Sequence, residues 1–278
     1  MSTKSVHTNT SAAIALQNLA RTNQRLDEAQ GRISTGLKVQ GARDNASIWA
    51  IAQSQRADLG ALNAVKQSLA RATSIADVAL AAGESISDLL NQLKEKVIAA
   101  QDTSLSTQSR QLLNDDFQAV LRAIESAAEN AEFDGGNLLD GSLPNGIAFL
   151  ANAEATSFIT LESKNLSLSG TIITLSTANS LVTVSGAAQA LTRLNNSITN
   201  LNSALGEMGA QAKQIAAHTT FVAKLADTLE AGIGNLVDAD LAKESARLQG
   251  LQVQQQLGVQ SLSIANQAPQ IILSLFQG

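Results

Sequence analysis

The strongest constraint on this chain is a seven-residue apolar repeat in its second half. Leu194, Leu201, Met208, Ile215, Val222, Leu229 and Leu236 stand one heptad apart, and Leu191, Ile198, Leu205, Ala212, Thr219, Ala226 and Ile233 form a second series between them. Two series offset by three or four residues predict the a/d seam of a left-handed coiled coil, because 3.5 residues per turn keeps one stripe facing a partner. About 50 residues without a proline would extend roughly 75 Å at 1.5 Å per residue. A helix of that length cannot bury its seam on itself. It needs other helices, from this chain or from its neighbours.

The first half supplies a match. Leu62, Leu69, Ala76, Gly83 and Leu90 form one heptad series there, and Val65, Ala72, Ala79, Ile86 and Leu93 form the other. Small residues in this seam let helix backbones approach closely. A further apolar face follows in Leu113, Phe117, Val120, Leu121, Ile124 and Ala128. The expected fold is mainly α: a long coiled-coil helical bundle, with a small β-hairpin-rich segment in the middle of the chain.

Composition narrows the function classes. Of 278 residues only 3% are aromatic and two are proline, so the core must be thin and built from Leu, Ile and Ala. The net charge is −5 with no basic block, which argues against nucleic acid and anionic membrane as partners. No run approaches the 18 or so apolar residues of a membrane-spanning helix. The absence of cysteine excludes disulfides and thiolate metal sites. Met1 to Asn9 is polar and lacks the apolar region of a cleavable secretory signal, so export would have to read something else.

Along the chain, Asn9 to Gly36 reads as helix, with Ala12, Leu19, Leu26 and Ile33 in one series and Leu16, Asn23, Gln30 and Leu37 in the other. Polar residues inside a seam weaken it and fix register, and such a helix is marginal alone in water. Gly36 and Gly41 bracket a break, after which Asp44 or Asn45 can cap the next helix and Trp49 is expected to pack at its start. A second break falls at 102–108. The third, FDGGNLLDGSLPNG at 133–146, is a cluster of turn formers that ends any helix. After it come the β-like runs Phe158 to Leu161, Thr171 to Leu175 and Leu181 to Val184. The last helix is expected from about Asp238 to Phe276, with Asp238 and Asp240 as caps suited to its positive N-terminal end. It is apolar on two sides and uncharged after Arg247, as a helix buried among several neighbours would be. The expected divisions are therefore 1–38, 39–139, 140–186, 187–237 and 238–278.

These residues resemble the bacterial flagellins. The N-terminal resemblance covers about 8–139 and rests on TNTSAAIALQNLARTNQRLDEAQGRISTGLKVQGARDNASIWAIAQ, ADVALAAGESI and FDGGNLLDG; the C-terminal one covers about 187–278 and centres on DADLAKE followed by SIANQAPQIILSLF. The motif residues are Ser34, Gly36 and Leu37 in ISTGL, Arg43 and Asp44 in ARDNA, and Asn266, Pro269 and Gln270 in ANQAPQ. The resemblance implies that residues 1–38 and 240–278 pair as an inner layer lining a filament channel, with 44–130 and 187–237 as the surrounding bundle. Leu16, Leu19, Leu26, Ile33, Leu257, Ile264, Ile271 and Leu275 are then the expected core and inter-subunit packing residues. It also implies export through the flagellar type III apparatus with a chaperone, contact with junction and cap proteins, and homopolymerisation, with sibling flagellins as further partners.

Two departures matter. Only about 45 residues stand where many flagellins carry large variable domains, although FLANAEATSFITLES is similar to the family's small β element. Where immune-stimulatory relatives have an Arg-rich patch, this chain has LKEKVIAAQ at 93–101, so receptor recognition does not carry over.

No enzyme is expected, and no metal or other cofactor. His7 and His218 lie far apart without ligand spacing, HExxH is absent, and DGG and GSLPNG are not phosphate cradles followed by a helix. The reading is an extracellular filament subunit associating head to tail through non-identical surfaces, which gives an open helix. The alternatives are a hook–filament junction protein and a secreted coiled-coil translocator or adhesin.

Overall fold

The computed structural model describes residues 9–275, with side chains up to Gln267. The chain forms two compact units, one from its two ends (up to Ala57 and from Leu229) and one from Asp58–Thr228. Among the described residues there are five helices: α1 (Thr10–Thr35), α2 (Ala46–Ala99), α3 (Thr107–Glu129), α4 (Val184–Val237) and α5 (Leu241–Leu275). Between α3 and α4 lie β1 (Glu132–Phe133), β2 (Gly136–Asn137), β3 (Ile147–Leu150) and β4 (Phe158–Leu161).

Local chemistry sets the helix ends. Asn9 caps α1 by accepting the Ala12 N–H at 3.0 Å, and Gly36 closes it at φ +71°. Of the two candidate caps for α2, Asn45 takes the Ile48 N–H at 3.1 Å, while the Asp44 carboxylate receives the N–H groups of Gln40 and Gly41. Ser106 caps α3. Asp240 caps α5 through the Lys243 N–H at 3.1 Å, whereas Asp238 forms a backbone bridge with Leu37.

In the Asp58–Thr228 unit both heptad series of α2 are buried from Leu62 to Leu93. At Gly83 the space a Cβ would take is held by Leu205 of α4, whose Cδ2 would lie 2.5 Å from it. On α4 the first series is buried from Leu194 to Val222, but the second departs from expectation. Leu191, Ile198, Leu205, Ala212 and Thr219 are half-buried, and the fully covered flank carries Ala190, Ser197 and Ala204; after Val222 the two series exchange roles, with Ala226 and Ile233 buried and Leu229 and Leu236 half-buried. The cause is the chain before α4, which covers that flank: Ser197 Oγ accepts the Thr174 N–H at 2.9 Å, and Asn200 donates to the Thr171 carbonyl.

That covering segment corrects two expected strands. Thr171 to Leu175 and Leu181 to Val184 are not strands; Ile173, Leu175 and Leu181 are buried as irregular chain, and α4 begins at Val184. Their backbone polar groups are met by side chains of α3 and α4, with Asn114 taking the Leu181 N–H and Gln118 donating to the carbonyls of Thr177 and Asn179. The strands that form are two antiparallel pairs, β1 with β2 and β3 with β4. In the second pair Ile147 faces Leu161 and Leu150 faces Phe158, so Phe149 and Leu161 turn inward together. Ser68 of α2 accepts the Leu150 N–H, and His218 of α4 lies 2.8 Å from the Ala151 carbonyl, which fixes this hairpin to the bundle.

Candidate functional site

The two chain ends meet in an antiparallel helix pair. Asn9 Nδ2 donates to the Ala265 carbonyl at 2.7 Å, Gln255 Nε2 to Asn23 Oδ1 at 2.8 Å, and Arg32 to Glu244 at 3.1 Å. Residue numbers rise along α1 as they fall along α5, so one register accounts for all three. The pair closes beside the α1 C-terminus, where Lys38 N–H bonds the Val237 carbonyl and Ala239 N–H bonds the Gly36 carbonyl, each at 2.7 Å.

The apolar seam between these helices is small. Leu26, Ala29 and Leu251 are buried together with Leu248 packed against them, and Leu19 lies over Gly258. Of the residues expected to pack here, Leu19 and Leu26 enter this seam and Ile33 is half-buried. Leu16, Leu257 and Ile264 face outward instead, at 57%, 62% and 60% exposure. Ile14, Val253 and Val259 join them on the outside. The side chains of Ile271, Leu275, Pro269 and Gln270 lie outside the described residues.

The motif residues divide by role. Gly36 supplies the left-handed cap of α1, Leu37 the bridge to Asp238, and Asp44 the loop closure before α2. Ser34, Arg43 and Asn266 are exposed. Sequence reasoning missed the Arg32–Glu244 pair and the seat of Leu19 on Gly258. Both depend on the register of the pair, and with Arg21, Arg25, Asp27, Glu28 and Arg32 on α1 facing Lys243, Glu244 and Arg247 on α5 the charges alone do not pick out one pairing. Among the described residues no helix is long and apolar enough to cross a membrane.

A helical chain that pairs its own ends around a few buried side chains, and leaves branched aliphatic residues on their outer faces, has the form of an assembly subunit. Comparison with known proteins agrees. Residues 6–143 match the bacterial flagellin N-terminal helical region, and residues 189–276 match the bacterial flagellin C-terminal helical region. The chain is 52% identical to flagellin FljJ of Caulobacter vibrioides over 276 residues, which cover 99% of each protein. It is 48% identical to flagellin FljK of the same organism, over the whole of both chains. Against a flagellin of Brucella melitensis it is 39% identical over 282 aligned positions, covering 99% of each. A solved flagellar hook-associated protein of Vibrio parahaemolyticus shares the fold at a TM-score of 0.55 and 12% identity, covering 70% of this chain and all of that one. The chain belongs to the bacterial flagellin family. It is a structural subunit of the flagellar filament, of the short form without large central domains.

Proposed function

We propose that the α1–α5 pair is the part of the subunit buried between copies in the filament, forming its inner layer. Residues 39–139 and 187–237 then supply the surrounding bundle, with 140–186 as a small outer β-bearing segment. The observation that carries this reading is the mismatch within the pair. Its helices are long, yet among the described residues the buried cluster between them is Leu26, Ala29 and Leu251 with Leu248 partly buried against it, while Leu16, Val253, Leu257 and Ile264 stay exposed. A helix pair with so thin a seam gains most of its stability from further packing. Leu19, Leu26 and Ile33 act within the chain, and Leu16, Leu257 and Ile264 between chains.

Polymerisation joins one surface of a subunit to a different surface of the next, so the polymer stays open. Sibling flagellins with the same terminal helices are able to enter the same polymer. The chain reaches the extracellular filament through the flagellar type III apparatus, with an export chaperone on the way and junction and cap proteins at the filament's ends. No catalytic role is part of this reading.

Seeded polymerisation of the full chain beside a variant lacking residues 245–278, read by light scattering and negative-stain microscopy, tests it. Long filaments from the full chain and none from the variant are expected. Filaments that form equally well without the tail would overturn the inner-layer role. Only short caps or soluble oligomers from the full chain would favour the junction-protein reading.

A further inference from the structure

One asparagine in the chain precedes a glycine: Asn145, before Gly146, in the turn that leads into β3. The backbone nitrogen that follows an asparagine can close a five-membered ring on the side-chain carbonyl carbon, and a glycine there brings no Cβ to obstruct the approach. Asn145 is exposed, and among the described residues its side chain makes no hydrogen bond. Every other described asparagine outside the helices is held. Asn9 and Asn45 cap helices, and the side chains of Asn130, Asn137, Asn152, Asn165 and Asn179 bond to chain nearby.

Competing positions are blocked. Asparagines inside helices have the following N–H tied into the helical ladder. Asp134–Gly135 and Asp140–Gly141 have the same spacing, but Asp134 pairs with Arg71, and Asp140 accepts both the N–H and the hydroxyl of Ser142. An ionised carboxylate is also a weaker electrophile than an amide. At Asn145 a single contact stands in the way: the Gly146 N–H donates to the Leu143 carbonyl at 2.9 Å and closes the Leu143–Gly146 turn. Pro144 and Asn145 at the centre of that turn are both exposed, so opening it uncovers little apolar surface.

We propose that Asn145 is a site of spontaneous deamidation, gated by opening of the Leu143–Gly146 turn. Once the turn opens, the Gly146 nitrogen gives its proton to solvent base and attacks Asn145 Cγ. A C–N bond forms, the Cγ–Nδ2 bond breaks, and ammonia leaves behind a succinimide. Water opens that ring at either carbonyl, yielding aspartate from one and isoaspartate from the other. The sum is an amide plus water giving a carboxylic acid plus ammonia, with no oxidant or cofactor. Each event adds one negative charge to a chain whose net charge is −5. Isoaspartate also lengthens the main chain by one carbon just before Gly146, where a Cβ would already collide with the Leu161 carbonyl. Ile147 is paired with Leu161, so the extra carbon pushes against the β3–β4 register. The reaction consumes only water and is independent of how copies of the chain assemble.

Trypsin releases residues 123–164 as one peptide that carries Asn130, Asn137, Asn145 and Asn152, so the three bonded asparagines serve as internal controls. The purified full chain is kept folded at neutral pH and physiological temperature and sampled over weeks. Fragment-ion spectra should show the mass gain of an amide-to-acid exchange at Asn145 before any of the other three. The aged peptide should also accept a methyl label from protein isoaspartyl methyltransferase. In guanidinium chloride the rate at Asn145 should rise by at least about tenfold, because the Leu143 carbonyl no longer holds the nitrogen. Asn145→Gln keeps an amide but would need a six-membered ring, and position 145 of that variant should stay intact over the same interval. Conversion of Asn130, Asn137 or Asn152 ahead of Asn145 overturns the proposal. So does a folded chain whose Asn145 stays intact after the denatured chain has converted. Equal rates in the folded and denatured chains would overturn the gate.

Discussion

Arg32 of α1 and Glu244 of α5 meet at 3.1 Å across the terminal pair, and Arg247 stands 3.9 Å from the same carboxylate oxygen. Glu244 is buried, and its other oxygen, Oε2, has no hydrogen-bond partner. The carboxylate therefore depends on Arg32. Its place in the first turn of α5 adds favourable interaction with the helix N-terminus. Arg32→Ala leaves a buried carboxylate without its main cation, at a cost of about 1–3 kcal/mol to the pairing. Filaments of this variant should dissociate at a lower temperature than unaltered ones, followed by far-UV circular dichroism. Arg247→Ala, whose side chain is more exposed, should shift that temperature less. Replacing Arg32 and Glu244 together by Met and Leu should recover most of the loss, because an apolar pair has no stranded charge. Filaments of Arg32→Ala that melt like the parent would show that the ion pair has no structural weight.

Gly146 stands at φ +68° just before β3, and a Cβ there would collide with the backbone carbonyl of Leu161 on β4. Neither partner can rotate away, since the obstacle is main chain. Gly146→Ala should destabilise the chain by at least about 2 kcal/mol, combining left-handed strain with the clash. Gly135 provides the comparison, at φ +78° but with open space around it. Its alanine variant should lose only the strain, about 1 kcal/mol. Urea denaturation midpoints of the two variants measure the difference. Equal midpoints would mean that β4 moves aside.

Arg110 is 7% exposed, and its guanidinium donates to the carbonyls of Ala100 and Asp102 where α2 ends and the turn to α3 begins. A planar fork spans two carbonyls that a single ammonium cannot reach in the same geometry. Arg110→Met should cost about 2 kcal/mol, chiefly by stranding the buried Ala100 carbonyl. Arg110→Lys should recover less than half of that, judged from denaturation midpoints and from amide exchange across 99–106. Full recovery with lysine would reduce Arg110 to a point charge.

What was legible in the residues depended on whether the cause was local. Asn9, Gly36 and Ser106 mark helix ends because a cap is a contact between near neighbours in sequence. The α2 seam was readable because both of its series are apolar and both are buried. On α4 the first series followed the pattern from Leu194 to Val222 and the second only at Ala226 and Ile233; upstream of these Ser197 is covered by a segment 23 residues away through Thr174. No periodicity reports that. Thr171 to Leu175 has the composition of a strand, yet the hydroxyl of Ser197 takes the N–H that a ladder would have used. In the terminal pair the apolar character of Leu257 and Ile264 was plain, but the side they face was not. That is set by register, and the register is held by Asn9 with Ala265 and Asn23 with Gln255, contacts between opposite ends of the chain.

Lys164 links the end of β4 to α4, with Glu162 at 2.9 Å and Glu207 at 2.6 Å. Hydrogen bonds to Glu207 and then Glu162 push the lysine above its ordinary 10.5. The hydrogen bond to Lys164, with its charge, holds the Glu162 carboxyl below its ordinary 4.5. The two shifts bound a pH window. A depressed carboxyl contributes stability that is complete above its unfolded value and is lost as pH falls through the folded one; a raised lysine contributes fully below 10.5 and loses this as pH rises through its folded value. The cluster should therefore act evenly across neutral pH and weaken at both ends. Glu162 is exposed to solvent, so the acid limb should be shallow and should shrink further in high salt. Lys164→Met removes the cause of both shifts. The Glu162 carboxyl, followed by carbon NMR, should then titrate closer to 4.5 than it does in the parent. The basic-side loss contributed by Lys164 should vanish from the melting profile. An unmoved Glu162 titration would mean that the Gln211 side-chain amide, whose oxygen accepts the Glu162 N–H at 3.1 Å, orders this corner without the lysine.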